Sequence, residues 1–268
     1  MPRCPIAAVA AVAGVAVAVA AVTAAPAPAA TVNLTPARDS LTLRFAARPG
    51  ETNDVVLDRT PSGFVVQQRS ARLAAGRGCR LLERYVAFCA VAPGEARELS
   101  AEVLAGDHDD RLDIGDVAAP VDEIALDGGA GDDLLLGAGR TPKPASADGL
   151  GDLRLDGGPG RDRLVGGPAR ESLDGGTGAD VLRGGRGDDV LTGDPAEAGR
   201  ALPVFPDRLD GGKGEDVADY GLRRRAVTVD LADRRPDGQA GEGDVLRGID
   251  DVWGGDRRNV LRGDGGRN

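Results

Sequence analysis

The chain has few of the residue types from which active sites are usually built. Among 268 residues there are one histidine, one tryptophan, two tyrosines and four phenylalanines. A Ser-His-Asp triad would have to use His108, and the sequence contains neither His-Glu-x-x-His nor Gly-x-Ser-x-Gly. Carboxylates are numerous enough for a glycosidase pair, but the scarcity of aromatic residues argues against a sugar-binding cleft. The sequence therefore indicates no enzyme.

Positive charge is also in short supply. The sequence has 33 Lys and Arg residues against 43 Asp and Glu residues, which gives a formal net charge of −10. Such a chain is repelled by phosphate backbones and by anionic membrane surfaces. We therefore expect no nucleic-acid partner, and we expect cations to be the natural ligands.

The one long apolar run lies at the N-terminus. It extends from Ile6 to Val22, follows a single arginine and precedes small residues that end at Ala29. This order is typical of a secretory signal peptide, so we predict that residues 1–29 are removed and that the mature protein is extracellular, without a membrane span. An uncleaved membrane anchor is the alternative, because the run is nearly long enough to cross a bilayer.

Cysteine is scarce, with three residues. Cleavage of the signal peptide would remove Cys4 and leave Cys79 and Cys89, an even pair in an oxidising compartment. We predict a disulfide between them. A cysteine-based metal site would need more ligands than two, and a catalytic cysteine would need the single histidine as its partner.

Glycine, by contrast, is abundant, with 41 residues, and its placement is periodic. Glycine pairs recur every nine residues, at positions 157, 166, 175 and 184; a single glycine stands at 193, and another pair follows at 211. The unit is Gly-Gly-x-Gly-x-Asp-x-Leu-x. Another good copy occupies residues 128–136, whereas 105–113 is weaker because His108 replaces the third glycine. We expect His108 to be a turn residue with a left-handed backbone conformation.

Each repeat unit reads as a turn followed by a very short strand. Glycine permits positive φ and close approach of neighbouring segments, and x-Leu-x forms a minimal β-strand whose central residue points inward. Two units make one coil, and stacked coils form a solenoid. We therefore predict an all-β fold: a right-handed parallel β-roll over 105–219, degenerate coils over 220–268, and a small β-rich cap over 30–104.

This register places equivalent residues eighteen positions apart. The inward leucines then form two columns, with Leu164 and Leu182 in one and Leu173, Leu191 and Leu209 in the other. A disordered linker would share the composition but not the apolar residue at position eight of each good unit. The glycine clusters also lack the Gly-Lys-Ser/Thr ending of a P-loop. Residues 106–118 lack the mid-loop glycine and the final glutamate of an EF-hand.

The aspartate at position six gives the unit its chemistry. In stacked coils it faces its equivalent eighteen residues on, and backbone carbonyls of both turns point into the same gap. Calcium suits such a gap because it accepts six to eight oxygen ligands in flexible geometry, whereas magnesium requires a tighter octahedron. We predict that the protein binds several Ca²⁺ ions, each between two turns.

These units resemble the haemolysin-type calcium-binding repeat (RTX) family, which has secreted bacterial members and a parallel β-roll fold. Full matches stand at 128–136, 157–165, 175–183, 184–192 and 211–219. The resemblance implies that the position-six aspartates provide carboxylates and that the second and third glycines provide carbonyls. The implied calcium ligands are Asp133, Gly129, Gly131, Asp162, Gly158, Gly160, Asp180, Gly176, Gly178, Asp189, Gly185, Gly187 and Asp216. Asp110 and Asp207 hold position six in imperfect units and are further candidates.

The eighteen-residue register also ranks the candidate sites. Asp162 with Asp180 should form the best one, because both turns have the full set of glycines. A pair of Glu171 with Asp189 should come second, since the longer glutamate carboxylate can still reach the gap. The pair of Asp189 with Asp207 should come third, because the turn before Asp207 lacks the glycines.

Some units depart from the pattern enough to lose an ion. The register pairs Asp216 with Ala198, which cannot coordinate a metal, so Asp162→Ala or Asp180→Ala should raise the calcium midpoint of folding far more than Asp216→Ala. In residues 254–262, Arg257 and Asn259 lie in the site, and few or no ions are expected there.

Two classes of function follow from these patterns. The first is a secreted calcium-binding structural or interaction module whose fold depends on ambient calcium. The alternative is a calcium-dependent secreted hydrolase with a small degenerate catalytic region in residues 30–104. The sequence does not identify an extracellular partner.

Overall fold

A computed structural model describes residues 29–92, 98–137, 150–195, 204–232 and 236–264 of the chain. None of the residues in these ranges is helical, and the predicted all-β class is confirmed. Accordingly, no helix that could cross a membrane occurs within the ranges. Apart from Ala29, the proposed signal peptide lies outside the described residues.

The N-terminal part of the chain forms eight strands, most of them five to seven residues long. They are β1 (Ala30–Pro36), β2 (Ser40–Ala46), β3 (Asp54–Thr60), β4 (Gly63–Gln68), β5 (Leu73–Ala75), β6 (Cys79–Glu83), β7 (Val86–Ala90) and β8 (Glu98–Leu104). The pairs β1–β2, β3–β4, β4–β7 and β6–β7 are antiparallel. Antiparallel pairing therefore predominates in this part, although β1–β5 and β2–β8 are parallel.

The remaining strands are mostly shorter, as expected for x-Leu-x segments between glycine turns. They are β9 (Arg111–Val117), β10 (Val121–Asp127), β11 (Leu134–Leu136), β12 (Leu150–Asp156), β13 (Arg163–Val165), β14 (Glu171–Asp174), β15 (Val181–Arg186), β16 (Val190–Thr192), β17 (Arg208–Lys213), β18 (Val217–Asp219), β19 (Val227–Asp230), β20 (Gly238–Gln239), β21 (Val245–Arg247), β22 (Asp251–Trp253) and β23 (Val260–Arg262).

Two long sheets face each other across the core. Sheet 1 has the order β22-β18-β16-β14-β12-β10-β8-β2-β1-β5, and sheet 2 has the order β21-β17-β15-β13-β11-β9-β3-β4-β7-β6. From β8 to β18, successive strands alternate between the sheets and pair in parallel, as the roll predicts. A small third sheet has the order β20-β19-β23.

One inward residue from each short strand builds the core. The sheet 2 column contains Leu112, Leu135, Leu164, Leu182 and Leu209, and the sheet 1 column contains Leu126, Leu155, Leu173, Leu191 and Ala218; all are buried. The coils formed by β13 to β16 thus bury about two apolar side chains each, whereas β9, β10 and β12 also bury Ile114, Val121, Ile124 and Leu153. Hydrophobic burial of roughly 1.5–3 kcal/mol per leucine is a small driving force for eighteen ordered residues.

The predicted position of Leu209 was wrong. It pairs with Leu182 in sheet 2, and the partner of Leu191 in sheet 1 is Ala218. The step from Leu182 to Leu209 is twenty-seven residues, because this coil contains a third nine-residue unit, residues 193–201, which lacks the set of turn glycines. We call a nine-residue unit a nonad. That nonad contributes no strand to either column among its described residues, and the chain re-enters sheet 2 at β17. The sequence-based register counted this extra unit as half a coil, so it assigned Leu209 to the wrong leucine column.

The predicted disulfide between Cys79 and Cys89 is present. The two cysteines are directly paired residues of the antiparallel strands β6 and β7, and their Cα atoms lie 4.1 Å apart. The boundary proposed at residue 104 remains a prediction. Strands on both sides of it pair in the same two sheets, since β2 is parallel to β8 and β3 is parallel to β9.

Candidate metal centre

A first column of carboxylates follows the turns that lead into sheet 2. Each member directly precedes a strand, and one of its oxygens accepts a hydrogen bond from the backbone N–H of its equivalent in the preceding coil. The Asp162 N–H donates to Asp180 Oδ1 at 2.7 Å, and the Asp180 N–H donates to Asp207 Oδ1 at 2.8 Å. In order, the column is Asp110, Asp133, Asp162, Asp180, Asp207 and Asp244, and its first member accepts from the Asn53 N–H.

A second column follows the turns that lead into sheet 1. The Glu171 N–H donates to Asp189 Oδ1 and the Asp189 N–H donates to Asp216 Oδ1, both at 2.9 Å. The Asp216 N–H donates to Asp250 Oδ2 at 3.0 Å. Glu171 thus occupies an aspartate position, with its own Oε1 accepting from the Ala169 N–H at 3.1 Å.

The second oxygen of these carboxylates is the unusual feature. It is buried and has no hydrogen-bond partner in Asp110, Asp133, Asp162, Glu171, Asp180, Asp189, Asp207 and Asp216. An unsatisfied buried polar group costs about 1–3 kcal/mol, and more when it is charged. Eight repeats of one such defect at equivalent positions indicate a common missing ligand with positive charge.

The electrostatics agree with this interpretation. Desolvation by burial is the largest cause of a raised pKa in all eight of these carboxylates, and neighbouring carboxylates raise it further. The pKa reaches about 8 for Asp162, about 8 for Asp189 and about 9 for Asp207. The backbone N–H donors oppose this change without cancelling it. A bound cation would remove the repulsion between the ionised carboxylates.

These shifts predict how the metal-free chain responds to pH. Because folding raises the pKa above the unfolded value near 4, the folded state binds protons more tightly, and its stability is greatest below that value. It falls as the pH rises through about 6 to 9, where Asp216, Asp180 and Asp207 ionise. In chelator, we expect more β-structure by circular dichroism at pH 4 than at pH 9. Equal spectra at the two pH values would contradict this.

The first glycine of each unit lies against the unpartnered oxygen. A Cβ atom added to Gly157 would stand 2.6 Å from Asp162 Oδ2 and 2.6 Å from the Gly175 carbonyl oxygen. Gly128 and Gly184 face the corresponding aspartate and the corresponding first-glycine carbonyl of the next coil in the same way. Each turn therefore holds a small space bordered by one carboxylate oxygen and one carbonyl oxygen.

We expect the substitution Gly157→Ala to raise the calcium concentration needed for folding by about ten-fold or more, because the methyl group would occupy this space and displace two oxygen donors. Gly241→Ala is the control. Gly241 has φ of +94°, but an added Cβ would meet no atom within 4 Å. It should cost only the strain of about 1 kcal/mol. Calcium titrations followed by circular dichroism measure both, and equal midpoints would contradict the role of Gly157.

The second and third glycines serve the close stacking of the turns. Gly176 and Gly178 have positive φ, and a Cβ at either would collide with the carbonyl oxygens of Gly158 and Gly160. The Gly158 carbonyl accepts from the Thr177 N–H at 2.9 Å. The carbonyls implied as ligands are therefore placed at the coil interface, whereas the first-glycine carbonyls lie beside the unpartnered aspartate oxygens.

His108 has the predicted left-handed conformation, with φ of +77°. It is the one residue other than glycine with positive φ among those described. Its imidazole lies 3.5 Å from Asp107 and is half exposed. His108 therefore acts as a turn residue in place of the third glycine.

The predicted pairing of carboxylates was wrong after residue 190, for the same reason as the position of Leu209. Asp180 pairs with Asp207, not with Ala198, and Asp189 pairs with Asp216, not with Asp207. Ala198 itself lies outside the described residues. The pairs Asp162–Asp180 and Glu171–Asp189 lie as predicted.

Sequence reasoning missed the ends of the columns. Asn53 donates its backbone N–H to Asp110 Oδ1, and Asp244 and Asp250 accept from Asp207 and Asp216. The glycine phrase precedes none of these three residues, so periodicity gave no signal. In the degenerate unit 254–262, Asn259 takes the aspartate position, and its Oδ1 accepts from the Val227 N–H at 3.0 Å.

The donor set fits Ca²⁺. Each gap offers hard oxygen donors only, at repeated and equivalent positions, and most of them are fixed by the backbone. No three His, Cys, Asp or Glu side chains in the described ranges converge to bind one ion by themselves. A bound ion would therefore take its ligands from two turns, as pairs of carboxylates with backbone carbonyls.

Comparison with protein-family models agrees with this geometry. Residues 151–169 and 165–195 match the model of the RTX calcium-binding nonapeptide repeat (4 copies). These residues contain β13 to β16, all of β12 except Leu150, and the turns of Asp162, Glu171, Asp180 and Asp189. No curated protein matches the chain.

Proposed function

Because the chain is a calcium-binding protein with RTX repeats in residues 151–195, we propose that it is a secreted protein whose β-roll folds when Ca²⁺ binds between its turns. The eight buried carboxylates with one unpartnered oxygen each are the observation that supports this proposal. Ions bound there would join successive coils, which bury too little apolar surface to hold one another.

The proposed location follows from the N-terminal sequence and from the disulfide. Residues 6–22 have the apolar character of a signal peptide, and Cys79 and Cys89 are joined as in proteins of oxidising compartments. Extracellular calcium modules typically have dissociation constants of about 10⁻⁴ to 10⁻³ M. The chain would then be weakly structured inside the cell and rigid outside it.

We propose a structural or interaction role and not a catalytic one. The described cavity on sheet 1 has a volume of about 200 Å³ and is lined by Arg154, Asp174 and Arg223 among others. It lies on the roll, and His108 is not among its lining residues. Nothing in the arrangement of these side chains favours the alternative of a hydrolase.

Calorimetric titration with Ca²⁺ tests the proposal directly. We expect more than one ion per chain, with Mg²⁺ a poor competitor. Asp162→Ala should reduce the number of ions or their affinity, whereas Asp188→Ala, which removes the same charge at an exposed position, should change little. Binding of no calcium, or identical isotherms for both variants, would refute the proposal. N-terminal sequencing of protein from the culture medium tests secretion, with the mature chain expected to begin near residue 30.

A further inference from the structure

A cluster of positive charge with almost no acidic residues lies in the N-terminal part of this acidic protein. Residues 69–85, which we call the basic hairpin surface, contain five exposed arginines, at positions 69, 72, 77, 80 and 84, and one acidic residue, Glu83. By contrast, residues 98–137 contain twelve acidic residues and one arginine, Arg111. The net charge of −10 therefore hides a strong separation of charge along the roll.

The fold brings these arginines to one place. Strands β6 and β7 form a hairpin that ends sheet 2, and its tip lies against the segment that precedes β5. The Gln68 N–H donates to the Tyr85 carbonyl at 2.9 Å, and the Leu73 N–H donates to the Arg84 carbonyl at 3.4 Å. Arg69 and Arg72 therefore lie next to the tip that carries Arg84.

Large apolar side chains are exposed among these charges. Leu81 is 46% exposed, Leu82 is 50% exposed and Tyr85 is 40% exposed. The disulfide holds the base of the hairpin, so these side chains are presented on a braced element. Exposed apolar residues on a rigid support, surrounded by cations, are typical of an interaction site and not of a tolerated defect.

We propose that the basic hairpin surface docks the protein on a membrane that carries anionic phospholipids. Arginine guanidinium groups would bind lipid phosphates. Leu81 and Leu82 would enter the boundary between head groups and acyl chains, and Tyr85 would lie at the membrane–water interface, where tyrosine is enriched. The acidic roll would then point away from the membrane, toward the solution that supplies its calcium.

The lipid surface fits these residues better than the other available occupants. A second copy of this chain exposes apolar side chains on its C-terminal coils, such as Leu222 and Trp253. These lie close in sequence to exposed arginines at 224, 225, 257 and 258, which would repel the arginines of the hairpin. A soluble polyanion would match the arginines but would leave Leu81 and Leu82 in water. Only an anionic bilayer matches the charge and the apolar side chains together.

Co-sedimentation with vesicles tests the proposal, using the full chain in the presence of calcium. We expect binding to vesicles of phosphatidylcholine with phosphatidylglycerol and much weaker binding to phosphatidylcholine alone. Arg80→Gln with Arg84→Gln should weaken binding by about thirty-fold, and Leu81→Ser with Leu82→Ser should weaken it by about ten-fold or more. All four positions are exposed, so circular dichroism should be unchanged.

The matched control lies near the other end of the roll. Leu222→Ser with Arg224→Gln and Arg225→Gln removes an exposed leucine and two exposed arginines and should leave binding intact. If this control and the hairpin variants bind equally, bridging by calcium or the apolar segment of residues 6–22 accounts for binding, and the proposal is overturned.

A local probe gives a second, independent reading. Trp253 is the one tryptophan of the chain, so Trp253→Phe with Tyr85→Trp places a single reporter on the hairpin. Its emission should move to shorter wavelength when anionic vesicles are added. An unchanged emission overturns the proposal. So does self-association by light scattering that the Leu81→Ser and Leu82→Ser changes abolish while vesicle binding persists, since a second copy would then be the occupant.

Discussion

Removal of calcium should unfold the roll. Eight buried carboxylates would each retain an unpartnered oxygen, at about 1–3 kcal/mol apiece, whereas a whole domain is stable by only about 5–15 kcal/mol. At pH 8, excess chelator should therefore abolish most of the β-structure seen by circular dichroism, and added Ca²⁺ should restore it. Magnesium at the same concentration should restore little. It requires six ligands in a tight octahedral arrangement, and the oxygens of these gaps are fixed by the backbone and cannot adopt it.

Hydrogen exchange would locate this loss within the chain. Strands β1 to β4 bury two phenylalanines, Phe45 and Phe64, which are larger than the leucines buried by the coils, and β6 and β7 are joined by the disulfide. We expect residues 30–92 to keep some protection in chelator and residues 105–219 to lose it. Full protection of the roll in chelator would mean that its coils hold together without metal.

The repeat phrase made most of the roll predictable from the sequence. Short strands, alternating sheets and the placement of Asp162, Asp180 and Asp189 all follow from where glycine, aspartate and leucine stand in nine residues. These are local constraints, since a turn needs glycine where φ is positive and a buried column needs an apolar residue. They hold for every unit that matches the nine-residue motif. They also predict the left-handed backbone conformation of His108, which replaces the third glycine in an imperfect unit.

The remainder depends on contacts that no local pattern encodes. The inserted unit preserves the nine-residue spacing but changes the sheet that the next strand joins. This change is seen in the pairing of Leu209 with Leu182 and not in the sequence pattern. Asn53 reaches Asp110 across fifty-seven residues. The basic hairpin surface was hidden by averaging, because net charge is a property of the whole chain and binding depends on local charge.

The corrected register makes its own prediction, opposite to the one drawn from the sequence. With Ala198 as its partner, Asp216 would contribute little, and Asp216→Ala would be nearly silent. In the structure, Asp216 Oδ1 accepts from the Asp189 N–H at 2.9 Å, and Asp216 Oδ2 is buried without a partner. We therefore expect Asp216→Ala to raise the calcium midpoint of folding by about ten-fold or more, comparably to Asp180→Ala.

Glu215→Ala is the control for this measurement, because it removes the same charge from the adjacent exposed position. It should move the midpoint little, since exposed charges are screened by solvent and salt. Asp207→Ala provides the second half of the test: as the acceptor of the Asp180 N–H at 2.8 Å, Asp207 should be coupled to Asp180, and the double variant should cost less than the two single variants added together. If Asp216→Ala leaves the calcium midpoint unchanged and the effects of Asp180→Ala and Asp207→Ala are additive, the eighteen-residue register is correct. Residues 193–201 would then form a stacked unit of the roll.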